Sequence, residues 1–145
     1  MMIQRLLYRS DCVLSGTPQV VDHKVDEIVE AARTANQAAG ITGALMLSSG
    51  VFIQVLEGPV AAVEATFERI CCDLRHRHVR LLELAVAEER VFGDWAMVQV
   101  TPTLQLAQLC PSVGAGAARL DATTANAAIQ IMRTLLLTKS RPAAA

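Results

Sequence analysis

Hydrophobic positions change their spacing along the first forty residues, and each change marks a predicted element. Residues 3–9 (IQRLLYR) have the length and apolar content of a strand. Across residues 21–39 the apolar positions recur every three or four residues, and Gly40 follows where a left-handed C-cap would fall. The second segment is therefore predicted to be an amphipathic helix.

A hairpin and a second helix are predicted next. Residues 43–48 (GALMLS) and 51–57 (VFIQVLE) are short apolar runs joined by a serine and a glycine, which suit a tight turn. Pro59 then stands at a typical helix start. Apolar residues follow it at helical spacing: Val63, Phe67, Ile70 and Leu74.

Two more strands are predicted at residues 81–89 (LLELAVAEE) and 95–100 (WAMVQV). The order β-α-β-β-α-β-β resembles the ferredoxin-like α+β proteins with one strand added, which predicts a five-stranded sheet. The second strand, residues 43–48, is apolar at nearly every position, so both faces of the sheet are expected to be covered.

Two helices cannot cover both faces, so the rest of the chain is expected to supply the second layer. Residues 103–138, including a helix from 121 to about 138, are expected to pack opposite the first two helices. They are also expected to leave an apolar surface for self-association into a dimer or larger ring. The predicted domains are residues 1–101 and a C-terminal helical extension, 102–145, frayed from about residue 140.

Three polar side chains occupy positions predicted to be apolar. Gln54 is in phase with Phe52 and Leu56, Asn36 follows the apolar stripe of the first helix, and Tyr8 ends the first strand. Each has an ordinary explanation: a buried tyrosine bonded to a backbone carbonyl, an asparagine near a helix end, or a glutamine on a wet sheet edge. Together they predict a pocket for a planar heteroaromatic ligand that needs donors and acceptors at its rim.

Composition excludes some classes of partner and of cellular location. Charged residues make up 19% of the 145 residues and the net charge is −1, which disfavours nucleic acid and anionic membranes. The N-terminus lacks the apolar core of a signal peptide and no apolar run is long enough to span a membrane, so a cytoplasmic protein is expected. The four cysteines lack metal or disulfide spacing and are predicted to be reduced thiols, mostly buried.

Two further clusters of polar residues are candidate sites. His76 and His78 could share a strand face, but no third ligand of suitable spacing is evident, so no metal site is predicted. A group of arginines lacks the interleaved aromatic residues of a nucleic-acid surface. It is interpreted as a solvated edge that could also neutralise cofactor phosphates, and it comprises Arg69, Arg75, Arg77 and Arg80.

Five motifs occur in series between residue 3 and about residue 100: RLLYRS, ARTANQAAGITGAL, GVFIQVLEGP, RICCDLRHRHV and RVFGDWAMV. Their order and spacing resemble the BLUF family, the sensors of blue light using flavin. The resemblance implies a flavin between the two helices, normally FAD, with FMN or riboflavin as alternatives. It also implies signalling rather than turnover, so the chain is not expected to be an enzyme.

The resemblance implies roles for individual residues. Tyr8 would give an electron and a proton to the excited flavin, Gln54 would lie between that phenol and the flavin edge, and Asn36 would bond the pyrimidine end of the ring. Contacts to the ring carbonyls and the ribityl chain would come from Arg69, Asp73, Arg75 and His76. Ring packing would come from Phe52 and Ile70, and signal relay from Trp95 and Met97.

One departure from some family members lies on the first helix, where they carry serine and a second polar residue. This chain has Ala32 and Ala35 there. The hydrogen-bond network around Gln54 is therefore expected to be thinner.

Three functions follow as alternatives. The first is a short, stand-alone blue-light photoreceptor that signals by contact with an unidentified downstream protein, since about 45 residues after the sheet are too few for an effector domain. The second is a flavin-dependent redox enzyme, for which the sequence shows neither a substrate site nor a reductant route. The third is a ferredoxin-like oligomerising module without photochemistry.

Overall fold

A mixed five-stranded sheet forms the centre of the computed structural model, which describes residues 2–48, 50–73, 75–93, 95–100 and 122–140. The strands are β1 (Ile3–Cys12), β2 (Thr42–Ser48), β3 (Val51–Gly58), β4 (His76–Ala87) and β5 (Val98–Val100). Their order in the sheet is β4-β1-β3-β2-β5. Neighbouring strands are antiparallel, except that β2 and β5 are parallel.

Two helices, α1 (Pro18–Ala39) and α2 (Val60–Cys71), cover one face of the sheet. Helix α1 begins three residues before the predicted start because Thr17 caps it: the Val20 amide donates to Thr17 Oγ1 at 3.3 Å. It ends as predicted at Gly40, whose φ of 73° favours glycine. The apolar stripes of both helices pack on Leu6, Phe52 and Leu56 of the sheet.

The opposite face is covered by a third helix, α3 (Ala122–Ser140). Ile129, Met132 and Leu136 of α3 join Leu7 and Val55 of the sheet in a separate apolar layer. This arrangement confirms the predicted α+β fold with both faces of the sheet covered.

The outer side of α3 differs from the prediction. Between residues 126 and 136 its exposed side chains are polar: Asn126, Gln130, Arg133 and Thr134. The expected apolar surface is therefore absent from this part of the helix. Residues 103–121, the domain boundary after residue 101 and the tail beyond residue 140 lie outside the described residues.

Strand β4 starts five residues before the predicted position. It is an edge strand, so Arg77 and His78 can reach water while they belong to the ladder. Such polar residues do not match the apolar pattern of a strand, so the predicted start was too late. Its pairing with β1 shifts register between Arg9 and Asp11, and His78 adopts a φ of 54° at this irregularity.

Two other expectations can be compared with the described residues. Cys71 and Cys72 are exposed and Cys12 is half-buried, so the prediction of mostly buried thiols is wrong for these three. Within the part of the chain that the structure describes, no helix is both long and apolar enough to cross a membrane.

Candidate functional site

A cavity of about 280 Å³ lies between the helix pair and the sheet. This volume is near the lower end of the roughly 300–1,000 Å³ typical of ligand pockets. The apolar part of its lining comprises Ile28, Ala31, Ala32, Ala35, Leu45 and Ile70. The polar part comprises Asn36, Gln54, Thr66, Arg69, Asp73, Arg75 and His76. Apolar walls with donors and acceptors at the rim suit a planar heteroaromatic ligand.

Gln54 is on the central strand β3, between β1 and β2, and only 6% of it is exposed. The explanation of a wet sheet edge is therefore wrong. Tyr8 Oη donates a hydrogen bond to Gln54 Oε1, and Gln54 Nε2 donates to Met97 Sδ at 3.6 Å. Both ends of the buried amide have partners, which offsets the cost of placing it inside the sheet.

Tyr8 faces Gln54 because the two residues are directly opposite in the β1–β3 register. Its side chain is fully buried, and the ring centroid is 5.6 Å from that of Phe67. Burial raises the pKa of Tyr8 well above its usual range, and negative charge at Cys71 and Asp73 raises it further. The phenol therefore stays protonated and remains a hydrogen-bond donor at neutral pH.

His76 lies where β4 begins and lines the cavity. Its Nδ1 is 2.6 Å from Ser10 Oγ, and its ring centroid is 4.8 Å from that of Phe52. Burial lowers the pKa of His76, so the imidazole is neutral at pH 7. Ser10 was missed by the sequence interpretation, although it lies two residues after Tyr8 and so points to the same face of β1.

Asp73 and Arg75 form a compact ion pair at the cavity rim. Hydrogen bonds from the Arg75 side chain hold the pKa of Asp73 at about 2, while the Asp73 carboxylate raises the pKa of Arg75. Their charges largely compensate each other. Arg69, one helical turn before Asp73, is exposed and donates to Thr66 Oγ1 at 3.3 Å, which leaves its positive charge available to a ligand.

Asn36 is buried at the end of α1, and its Nδ2 donates to the Ala96 carbonyl oxygen at 2.7 Å. Arg33 Nε donates to the next carbonyl oxygen, that of Met97, at 3.2 Å. Two carbonyls of residues 95–97 therefore accept side-chain hydrogen bonds, and β5 starts at Val98, three residues later than predicted.

Trp95 and Met97, expected to act as a pair, lie on opposite sides of the sheet. Met97 packs with Tyr8 and contacts Gln54, whereas Trp95 packs against the layer beneath α3, with its ring centroid 6.5 Å from that of Phe92. The side chain of Met97, but not that of Trp95, is therefore at the site.

Four cavity-lining residues were not assigned to the site from the sequence: Ile28, Ala31, Leu45 and Thr66. Ile28 and Ala31 lie at helical spacing on α1, and Leu45 lies opposite Gln54 in the β2–β3 register, so these positions are compatible with a cavity wall. Apolar residues at such positions are usually core, so periodicity alone does not separate a cavity wall from a packed interior. Thr66 is the stronger signal, since it is polar yet buried between Val63 and Ile70.

A cavity lined by a buried amide that is itself hydrogen-bonded to a buried phenol is typical of a ligand-binding domain with a redox-capable side chain next to the site. Comparison with known proteins shows which one: the family model for the sensors of blue-light using FAD matches residues 3–98. The chain belongs to this family, BLUF.

Individual relatives agree with this assignment. The blue light- and temperature-regulated antirepressor BluF of Escherichia coli K12 is 33% identical over 96 residues, 66% of this chain and 23% of the relative. The photoactivated adenylate cyclase subunit alpha of Euglena gracilis is 42% identical over 59 residues, 41% of this chain and 6% of the relative. The chain thus spans less than a quarter of these two curated relatives.

Solved structures match over nearly the whole chain. The dark-state structure of BlrB, a BLUF protein, gives a TM-score of 0.70 at 30% identity and covers 94% of this chain and 96% of its own. The photo-activated state of BlsA gives a TM-score of 0.75 at 25% identity, covering 92% of this chain and 95% of its own.

Proposed function

We propose that this chain is a blue-light photoreceptor in which Tyr8 and Gln54 respond to excitation of a bound flavin, with FAD as the flavin. The observation that carries the proposal is the hydrogen bond from the buried Tyr8 Oη to Oε1 of Gln54, whose side chain is buried and lines the cavity. We propose no turnover for the chain itself.

The residues present suit a flavin. The small side chains of Ala32 and Ala35 leave room along α1 for a flat ring, and Gln54 and Asn36 bring amide groups to its edge. Asp73, Arg75 and His76 stand at the other side of the cavity, where they would contact ring carbonyls and the ribityl chain. Arg69 would meet the phosphate of FAD or FMN with its positive charge.

When bound, the flavin absorbs blue light and its excited state accepts an electron and a proton. Tyr8 suits the donor role because its raised pKa keeps it protonated in the dark and it already directs that proton at Gln54. The electron and the proton leave Tyr8 and later return to it, so the cycle needs no external reductant.

Gln54 is placed to convert that transfer into a lasting change. Its carbonyl end accepts from Tyr8 while its amino end donates toward Met97. Exchanging the two ends by rotation or tautomerisation would rewrite both bonds with almost no change in volume. The exchanged amide presents a different end to the cavity, which is expected to shift the absorption to the red.

Output through protein contact is the simplest route for this chain. Met97 connects Gln54 to residues 95–100 at the sheet edge, so a downstream protein would recognise that region. We propose residues 1–101 as the sensing domain and 102–145 as its helical extension. Self-association into a dimer or larger ring is supported by Leu84 and Val86, which are 42% and 61% exposed on the edge strand β4.

Purification in the dark followed by illumination tests the proposal. One oxidised flavin per chain, identified as FAD by mass spectrometry of the extract, and a reversible red shift without net reduction are expected. A folded protein that cannot be loaded with any flavin would overturn it. Net flavin reduction would instead favour a redox enzyme. Light scattering of the same sample decides the oligomeric state, and a strict monomer at high micromolar concentration would exclude the proposed assembly.

A further inference from the structure

Glu57 is a fully buried carboxylate that the photochemical steps do not use. It lies on β3, directly opposite Arg5 in the β1–β3 register, and the alternation of the strand directs it to the side of the sheet opposite Gln54. Arg5 Nε donates to its Oε2 at 2.9 Å. A buried carboxylate without partners would cost several kcal/mol, so its partners show what it holds in place.

Its shortest bonds run to the segment between β4 and β5. The Val91 amide donates to Glu57 Oε2 and the Phe92 amide to Glu57 Oε1, each at 2.7 Å. Each carboxylate oxygen therefore fixes one backbone group of this segment through a charge-assisted hydrogen bond. Phe92 itself is completely buried.

Two arginines strengthen the attachment. Arg90 donates to Thr42 Oγ1 at 3.0 Å, to the Glu57 carbonyl oxygen at 3.2 Å and to the Gly40 carbonyl oxygen at 2.8 Å. Arg5 Nη2 donates to the Glu89 carbonyl oxygen at 2.9 Å. We call the four side chains that hold residues 89–92 the loop clamp: Arg5, Thr42, Glu57 and Arg90.

The clamped residues lead directly to Met97. The Trp95 amide donates to the Phe92 carbonyl oxygen at 3.0 Å, and the Trp95 carbonyl oxygen accepts from the Gly43 amide at 3.0 Å. A Cβ on Gly43 would lie 2.0 Å from the Val55 carbonyl oxygen, so the close approach of Gly43 to Val55 on the neighbouring strand requires glycine. Two residues later, Met97 Sδ meets Gln54 Nε2.

We propose that Glu57, as the centre of the loop clamp, is a positioning residue that holds Met97 against Gln54 and thereby sets the rate at which the lit state returns to the dark state. This inference rests on the proposed photoreceptor function. Glu57 acts through the backbone of residues 91–92 and 95–97, and among the described residues none of its side-chain hydrogen bonds goes to Gln54 or to the cavity lining.

The decisive variant is Glu57→Gln, which keeps the shape of the side chain but has only one acceptor oxygen. One of the two amides, Val91 or Phe92, must then face an amino group. The matched control is Glu64→Gln, which neutralises an exposed carboxylate on α2. Met97→Ala and the Glu57→Gln/Met97→Ala double variant complete a cycle that separates a specific coupling from general loosening.

Two readouts are expected to move. In the flavin-loaded protein, Glu57→Gln changes the dark-recovery rate at least about threefold, in the direction given by Met97→Ala, and the double variant recovers like Met97→Ala alone. In the flavin-free protein, Glu57→Gln accelerates amide hydrogen exchange across residues 91–97 by at least about tenfold. Glu64→Gln changes neither.

Unchanged recovery in Glu57→Gln, or effects of the two substitutions that simply multiply, would overturn the inference. Unchanged hydrogen exchange would overturn it as well. If Glu57→Gln does not fold, Arg90→Met removes three loop-clamp bonds and leaves the buried carboxylate with its partners, and the same two readouts apply. Absence of any light response in the wild-type protein would count against the photoreceptor function, whereas the hydrogen-exchange result would still decide whether the loop clamp holds the segment.

Discussion

The bond between Tyr8 and Gln54 leads to a prediction that needs no flavin. Tyr8→Phe leaves Gln54 Oε1 buried without its donor, and Gln54→Leu leaves the Tyr8 hydroxyl buried without its acceptor. An unsatisfied buried polar group costs about 1–3 kcal/mol, so each single variant is expected to lose that much unfolding free energy. The double variant removes both polar groups together, and replacing both partners is far less costly. It should therefore lose less than the sum of the two singles, by roughly 1 kcal/mol or more.

Urea unfolding of the four flavin-free proteins, followed by circular dichroism, measures this coupling. The transitions must share one denaturant slope for the free energies to be compared. A matched control combines Tyr8→Phe with Gln130→Leu, because Gln130 is exposed on α3 across the sheet. That pair should be additive within about 0.5 kcal/mol. The same additivity for the Tyr8 and Gln54 pair would refute the bond as a source of stability.

Three further predictions test other parts of the structure. Because burial raises the pKa of Tyr8, the light-induced spectral shift should be equal at pH 8 and pH 10, and a shift halved at pH 10 would contradict this. The unfolding free energy that Tyr8 contributes should be lost only as the pH rises above about 10, where the exposed tyrosine of the unfolded chain ionises. Ile129→Ala should lower the free energy of unfolding in urea by about 2–5 kcal/mol, because Ile129 is buried between α3 and the sheet, whereas Gln130→Ala should lower it by less than about 0.5 kcal/mol. Equal losses would mean that α3 does not pack there. Asn36→Leu removes the donor to the Ala96 carbonyl, so it should weaken flavin retention and, in the flavin-free protein, accelerate hydrogen exchange at residues 96–97. Wild-type values in both measurements would show that Asn36 is dispensable.

Much of the fold could be predicted from local patterns. The helices and the β2–β3 hairpin follow from apolar spacing, Gly40 and the turn residues, and the continuous apolar character of β2 predicted a covered second face. The start of β4 could not be predicted in this way, because Arg77 and His78 are tolerated only on an edge strand. Sheet order is set by long-range pairing, which local spacing does not encode.

The candidate site divides in the same way. Gln54, Asn36 and Tyr8 stood out because a polar residue on an apolar stripe needs a partner. Glu57 did not, since a carboxylate at a strand end is ordinary until the Val91 and Phe92 amides are brought to it by the fold. The separation of Trp95 from Met97 could not be predicted either, because residues two apart point to the same face of a strand, whereas residues 95–97 precede β5 and lack regular strand structure.

The most direct test of the photochemical role is one light-minus-dark absorption spectrum of Gln54→Leu beside wild type. Leucine keeps the bulk of the side chain and removes every polar atom, and Gln37→Leu on the exposed side of α1 serves as the matched control. Wild type and Gln37→Leu are expected to shift to the red and recover in the dark, while Gln54→Leu retains its flavin and shows no shift. A Gln54→Leu protein that keeps its flavin and still shifts as wild type does would contradict the role assigned to the amide.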